Sequence, residues 1–259
     1  MENRNVSMIT KSMELLELLS EHPQGLTLQE IVGLLDYPKS SIYKIATNLL
    51  EIGYIGREPG NFRYFLSRKL LLLGLKAVSS YDIIEMSEEY MKRLRDNVGE
   101  SVMIGTLVDA EVVLLKQVQG NLDFVFILQQ GMRFNLHSTA PGKVLLAFMS
   151  GKKQKEKLSE IRFEALNEYT ITDKEQLEKE LNKIIQDGYA IDLNETVEGV
   201  HCIAAPIFDE KGNAIACIWT SGPAGRLPKE KVKHIGLQIR DTGLEISRNI
   251  GYNRKLKTR

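Results

Sequence analysis

The chain has 259 residues with 34 basic and 34 acidic side chains, so it is neutral near pH 7. That length allows about two domains, each with its own core; neutrality excludes a histone-like coat on nucleic acid but leaves room for a small basic patch. Cys202 and Cys217 make no disulfide framework, and no paired cysteine and histidine spacing offers a metal site. The densest apolar run, Leu70 to Leu75, is too short to cross a bilayer, and Met1 to Asn5 lacks the apolar core of a secretion signal. A cytoplasmic protein with reduced thiols and no membrane partner is expected.

Residues 7–20 read as a leading helix with Ile9, Met13, Leu16 and Leu19 on one side. Leu28, Ile31, Leu34 and Leu35 mark one face of a second helix, and Thr27 and Glu30 have the spacing of a capping box. Asp36-Tyr37-Pro38 breaks the pattern, with Pro38 suited to the opening of a third helix. There Ile42, Ile45, Ala46, Leu49 and Leu50 share the inner face, and Ser40, Tyr43, Lys44, Thr47 and Asn48 the outer one. Gly53-Tyr54-Ile55 and Phe62 to Leu66 flank the turn residues Glu58 to Asn61, a hairpin.

This order is a winged helix-turn-helix. Lys39, Ser40 and Ser41 sit in the first turn of the third helix, where free N–H groups and hydroxyls suit phosphate. Tyr43, Lys44, Thr47 and Asn48 face the major groove, while Arg57 and Arg63 in the wing serve the backbone or minor groove. A small helical subdomain that binds protein is the alternative. Charge favours DNA: residues 38–69 carry six basic against two acidic residues, and residues 1–37 carry two against six.

Residues 69–81 read as a helical connector, apolar on nearly every side and therefore either buried within the chain or shared with a second copy. Residues 82–98 form an amphipathic helix through Ile83, Met86, Met91, Leu94 and Val98. Strands are expected at 102–107, 112–116, 123–128, 134–137, 189–192, 200–208 and 214–220. Two or three helices lie between Gly142 and Asp187, and a long closing helix runs from Pro228 to Tyr252. The fold class is thus α+β: a winged helix-turn-helix domain (1–68), the connector (69–81) and an antiparallel-sheet domain (82–259) able to enclose a small-molecule pocket.

Catalysis finds little support. His201 and Cys202 are strand neighbours pointing to opposite faces, so no thiol–imidazole pair forms between them. The position five residues before Gly142-Lys143 is His137, not the glycine a Walker loop needs. No catalytic residue, metal or cofactor is assigned.

Over nearly its whole length the chain resembles the IclR-type bacterial transcription regulators. The resemblance runs through Leu28 to Ile31, Pro38 to Lys44 and Leu49 to Ile55 in the first domain. In the second it rests on three ordered blocks: His137-Ser138-Thr139-Ala140-Pro141-Gly142-Lys143-Val144-Leu145-Leu146-Ala147, Gly188 to Asp192 with Glu198 to Ile207, and Ser221 to Leu227. It implies a GAF-like effector domain binding a small carboxylate or aromatic acid. The backbone around Ala140 and Gly142 and the side chains of Asp192, Cys202 and Ser221 would hold this ligand. It also implies double-stranded operator DNA as partner, a homodimer or dimer of dimers, and repression as the commoner behaviour. Two departures stand out. Pro141 removes an N–H where the family has an aliphatic residue. Trp219, two residues before Ser221, shares its face and either shrinks the pocket, favours a flat ligand or packs in the core. A sensor module acting through a protein partner, and more remotely a Cys202-dependent enzyme, are the alternative functions.

Overall fold

The structure is a computed structural model that describes residues 7–79 and 83–252. Met1 to Asn5 and the connector's final residues 80 and 81 lie outside the described residues. The chain divides into two compact units, Met1–Tyr81 and Asp82–Arg259.

The first unit begins with α1 (Met8–Ser20), capped by Ser7, whose hydroxyl accepts the Thr10 amide at 3.1 Å. α1 buries Leu15 and Leu19, whereas Ile9 and Met13 are exposed. The expected apolar side is therefore rotated: Leu16 is half-buried and Leu15 takes the inner position. α2 (Leu28–Leu35) carries the capping box, Thr27 Oγ1 accepting the Glu30 amide and Glu30 accepting the Thr27 amide. Asp36 ends it in the left-handed conformation. α3 (Lys39–Glu51) buries Ile42, Ile45, Ala46 and Leu49, with Pro38 just outside its first turn. β1 (Ile55–Arg57) pairs antiparallel with β2 (Tyr64–Leu66), Arg57 opposite Tyr64. One core joins Leu15, Leu19, Ile31, Ile42, Leu49, Ile55 and Tyr64. α4 (Arg68–Ser79) follows, and its Leu71, Leu72 and Leu73 are exposed.

The second unit opens with α5 (Ile83–Val98) and continues through β3 (Ser101–Val108), β4 (Glu111–Val118) and β5 (Arg133–Asn135). Three helices follow, α6 (Ala140–Ala147), α7 (Gly151–Glu160) and α8 (Lys174–Asp187). β6 (Ala190–Leu193), β7 (Val200–Phe208), β8 (Ala214–Pro223) and α9 (Lys229–Asn249) complete it. The six strands form one antiparallel sheet in the order β5-β4-β3-β8-β7-β6.

Strand alternation gives this sheet two buried faces. Val102, Ile104, Ile203, Ala205, Ala216 and Ile218 pack with Met91 and Leu94 of α5 and Ile235, Ile239 and Ile246 of α9. Met103, Leu114, Ala204, Cys217 and Trp219 pack on the other side with Val144 and Leu146 of α6 and Leu177 and Leu181 of α8.

Residues 123–128 form no strand, against the sequence expectation. The Gln117 side chain takes the place of a strand neighbour: its Nε2 donates to the Phe126 carbonyl at 2.6 Å and its Oε1 accepts the Leu128 amide at 2.8 Å. Ser101 Oγ donates to the same Phe126 carbonyl at 2.9 Å. With side chains satisfying these backbone groups, the segment runs as a loop beside β4 rather than as a strand. The strand expected at 134–137 is likewise shorter, ending at Asn135.

Candidate functional site

The outer face of α3 is free as a reading surface. Lys39, Ser40, Tyr43, Lys44 and Asn48 are exposed, and Ser41 and Thr47 partly so. Pro38 gives no side-chain cap. The Ser41 and Ile42 amides both return to the Pro38 carbonyl. The Lys39 and Ser40 amides ahead of them have no acceptor among the described residues, so the helix N-terminus keeps free donors, the arrangement that binds a phosphate oxygen. Thr47 Oγ1 donates to the Tyr43 carbonyl at 2.9 Å, which leaves its lone pairs and methyl group for a base edge.

The wing divides its two arginines. Arg57 is exposed, its guanidinium over the Phe62 ring at 4.7 Å and the Tyr64 ring at 5.3 Å. Arg63, expected as a DNA contact, is instead engaged within the domain. It donates to the Gly25 carbonyl at 2.7 Å and forms a two-pronged pair with Glu30 at 3.1 Å on each prong. The Thr27 amide, the Thr27 hydroxyl and Arg63 together hold the Glu30 carboxyl below its ordinary range. Arg63 thus ties the wing to the capping box of α2.

The second unit contains a cavity of about 230 Å³. Phe134 and Trp219 form its principal wall, their rings meeting edge to face at 5.5 Å. Phe126 and Leu128 enter from the loop that Gln117 holds, and Pro141 from the start of α6. Asp192, Cys202 and Ser221 all reach it, because β6, β7 and β8 place them in register: Asp192 lies opposite Cys202, and Cys202 opposite Ser221. Trp219 is both core and cavity wall, being 1% exposed. Gly105 makes room for it; a Cβ there would stand 3.0 Å from the indole and 2.6 Å from the Val113 carbonyl.

Ala140 and Gly142, expected as ligand contacts, are buried and do not line the cavity, whereas their neighbours Thr139 and Pro141 do. α6 begins at Ala140, and the Gly142 amide is taken by Thr139 Oγ1 at 3.0 Å. Gly142 is required by packing, since a Cβ would fall 2.0 Å from the Asn135 carbonyl. The start of α6 therefore offers a ligand fewer free amides than its position suggests.

Behind the cavity lies a charged cluster that sequence reasoning missed. Lys143 is fully buried and pairs with Glu195 Oε1, while Glu195 Oε2 has no partner among the described residues. The signal was a lysine set between Ala140-Pro141-Gly142 and the apolar run Val144 to Ala147. Burial pushes the Glu195 carboxyl up to about 7, against the pull of Lys143. Asp192 is also raised, burial again outweighing Lys143. Its Oδ1 accepts the Glu195 amide at 2.7 Å and its Oδ2 the Thr196 hydroxyl at 2.9 Å.

Cys202 Sγ and Ser221 Oγ are 3.0 Å apart. Burial pushes the Cys202 thiol up to about 12, so it is not a thiolate near neutrality. His201 turns the other way, its Nδ1 2.7 Å from the Leu227 carbonyl. Among the described residues no group of three metal-ligating side chains comes together, and no helix is long and apolar enough to cross a membrane.

A winged helix with an open reading face, joined in one chain to an α+β unit with an internal cavity, defines a DNA-binding regulator with an effector-binding domain. The family models agree over most of the chain: residues 8–59 match the IclR helix-turn-helix domain and residues 75–248 the C-terminal domain of the bacterial transcriptional regulator IclR. The protein belongs to the IclR family of transcription regulators. It is 31% identical to the HTH-type transcriptional regulator KdgR of Dickeya chrysanthemi, across 96% of this chain and 81% of that protein. With XynR of Escherichia coli it shares 27% identity across 95% and 98%. The crystal structure of Thermotoga maritima IclR superposes with a TM-score of 0.71 at 30% identity, covering 94% of this chain and 98% of that one. An IclR homologue of Microbacterium hydrocarbonoxydans, solved with 4-hydroxybenzoate, has the same fold at 20% identity, with a TM-score of 0.80 over 94% and 99%.

Proposed function

We propose that the protein is a cytoplasmic repressor, without catalytic activity, that binds operator DNA as a homodimer or dimer of dimers. A small organic acid in the second unit releases it. The observation that carries this reading is the cavity walled by Phe134 and Trp219, with Asp192, Cys202 and Ser221 on one side, in a chain whose α3 presents a free polar face. The 4-hydroxybenzoate bound by the Microbacterium hydrocarbonoxydans homologue supports a flat acid as effector class. Two copies reading half-sites by their α3 helices would contact a two-fold-symmetric operator. The exposed Leu71, Leu72 and Leu73 of α4 support a shared connector. Control requires the acid to bind the free arrangement more tightly than the DNA-bound one.

The test is a footprint of the full chain on the DNA upstream of its own gene, against scrambled competitor and across a salt series. A symmetric footprint that resists competitor and is lost when an organic acid is titrated in supports the proposal. Sequence-blind, purely salt-sensitive binding on that DNA and on other promoters would overturn it in favour of a sensor acting through a protein partner.

A further inference from the structure

The tip of the wing displays an aromatic side chain on a strained backbone. The hairpin closes where the Glu58 amide donates to the Arg63 carbonyl at 2.9 Å and the Phe62 amide to the Glu58 carbonyl at 3.0 Å. Asn61 braces the turn on both sides. Its Nδ2 donates to Glu58 Oε2 at 2.6 Å, and its Oδ1 accepts the Arg63 amide at 3.0 Å. Phe62, the last residue of the turn, has a φ of 57°. That is the left-handed region, which glycine and asparagine enter cheaply and a bulky aromatic residue does not.

The fold gains little from this strain. Phe62 is 57% exposed and belongs neither to the core of the first unit nor to the side chains packed on it. Phe65, the wing's other exposed aromatic, rests on Gly56, where a Cβ would stand 2.4 Å from its ring. Phe62 instead lies under Arg57, whose guanidinium is 4.7 Å from the ring centroid. Arg57 makes no ion pair among the described residues, whereas Arg63 is held by Glu30. A strained residue fixed by a braced turn and pointed at solvent is a functional candidate.

The partner follows from what surrounds the ring. The hairpin leaves α3 directly, with residues 52–54 between Glu51 and Ile55, in a segment whose residues 38–69 carry six basic and two acidic side chains. An apolar ring with a guanidinium stacked on it fits a minor groove. Its walls are apolar sugars, and A·T pairs offer the guanidinium acceptors without the guanine amino group. Stacking on Phe62 also limits the freedom that Arg57 would lose on binding.

We propose, on the reading of this unit as an operator binder, that Phe62 is a DNA contact: its ring enters the minor groove beside the site read by α3, seats Arg57 there, and so selects A·T-rich flanks. Arg57 reads the acceptors and Phe62 positions it while packing on the sugars.

The full chain first selects its site from random duplexes, which fixes the core read by α3. Selecting none would refute the operator reading itself, and this inference with it. Duplexes then keep that core and carry flanks of A·T, G·C or inosine·cytosine pairs. The last has the major groove of G·C but, without the guanine amino group, a minor groove like that of A·T. The wild type is expected to bind A·T and inosine·cytosine flanks about three- to tenfold more tightly than G·C flanks. Phe62→Gly, which fits a φ of 57° without strain, is expected to lose this preference and to bind the A·T-flanked duplex about five- to tenfold more weakly. It is expected to unfold at the same or a higher temperature. Phe62→Tyr keeps the ring and is expected to keep the preference. Wild-type binding indifferent to the flanks, inosine·cytosine grouping with G·C, a preference retained by Phe62→Gly, or a lower unfolding temperature for that variant would each overturn the inference.

Discussion

Replacing Lys143 by Met tests whether the buried ion pair governs the stability of the second unit. Lys143 is fully buried, and its ammonium is the cation nearest Glu195 Oε1. Removing one member of a buried pair costs about 3–5 kcal/mol, because the other is left charged without compensation. Glu195 can reduce this loss by taking up a proton. Its carboxyl already stands at about 7, raised by burial while Lys143 pulls it down. Without Lys143 it rises further. In the wild type, the stability linked to Glu195 is fully present below its unfolded value and is lost as pH rises through about 7. In the variant that loss continues above 7. The penalty is therefore expected to be smaller at pH 6 and to grow by about 2 kcal/mol by pH 8.5, from roughly 1.4 kcal/mol for each unit by which Glu195 rises. Urea unfolding followed by Trp219 fluorescence isolates the second unit's transition, since no other tryptophan exists. Lys143→Met/Glu195→Gln should recover much of the loss at pH 8.5. A penalty equal at both pH values, together with no recovery in the double variant, would refute the account.

Lys39→Ala should lower the slope of log affinity against log salt by about 1, as loss of one phosphate contact does. Arg63→Ala should leave that slope unchanged and lower the first unit's thermal stability, because Arg63 holds Glu30 and the Gly25 carbonyl; an equal drop in slope would return Arg63 to the DNA contacts. Gly105→Ala should destabilise the second unit by about 1–3 kcal/mol and shift Trp219 emission, since the added methyl meets backbone 2.6 Å away; calorimetry and fluorescence check both. Both cysteines should resist a disulfide-exchange reagent at pH 7.5 in the native protein and react fully in urea, because burial raises both thiols. Rapid native labelling of Cys202 would reopen a role for it as a nucleophile.

Several features were legible in the chain because they depend on neighbours close in sequence. The capping box needs only Thr27 and Glu30 three residues apart. The inner face of α3 follows from a helical period for Ile42, Ile45, Ala46 and Leu49, whereas Leu50, expected with them, is exposed; the shared face of Trp219 and Ser221 follows from strand alternation. α1 was less determinate: Ile9, Met13, Leu15, Leu16 and Leu19 support two overlapping apolar faces, and packing in the first unit's core selects Leu15 and Leu19. Residues 123–128 have a strand's composition, yet Gln117 and Ser101 satisfy their backbone from outside the segment. The free or engaged state of an arginine is equally non-local. Arg57 and Arg63 look alike in the wing, and only the return of the hairpin onto α2 brings Glu30 to Arg63.

The amino-acid sequence by itself determined the two-part organisation, the reading helix, the antiparallel α+β class and the motifs of the family. These follow from periodicity, caps and turn chemistry, which act over a few residues. The tertiary structure alone decided what the cavity offers a ligand. Thr139 takes the Gly142 amide, Asp192 is held by Glu195 and Thr196, and Lys143 is buried against a residue 52 positions away. Whether a donor is free or occupied depends on groups brought together by the fold, and desolvation then decides how much each charge counts.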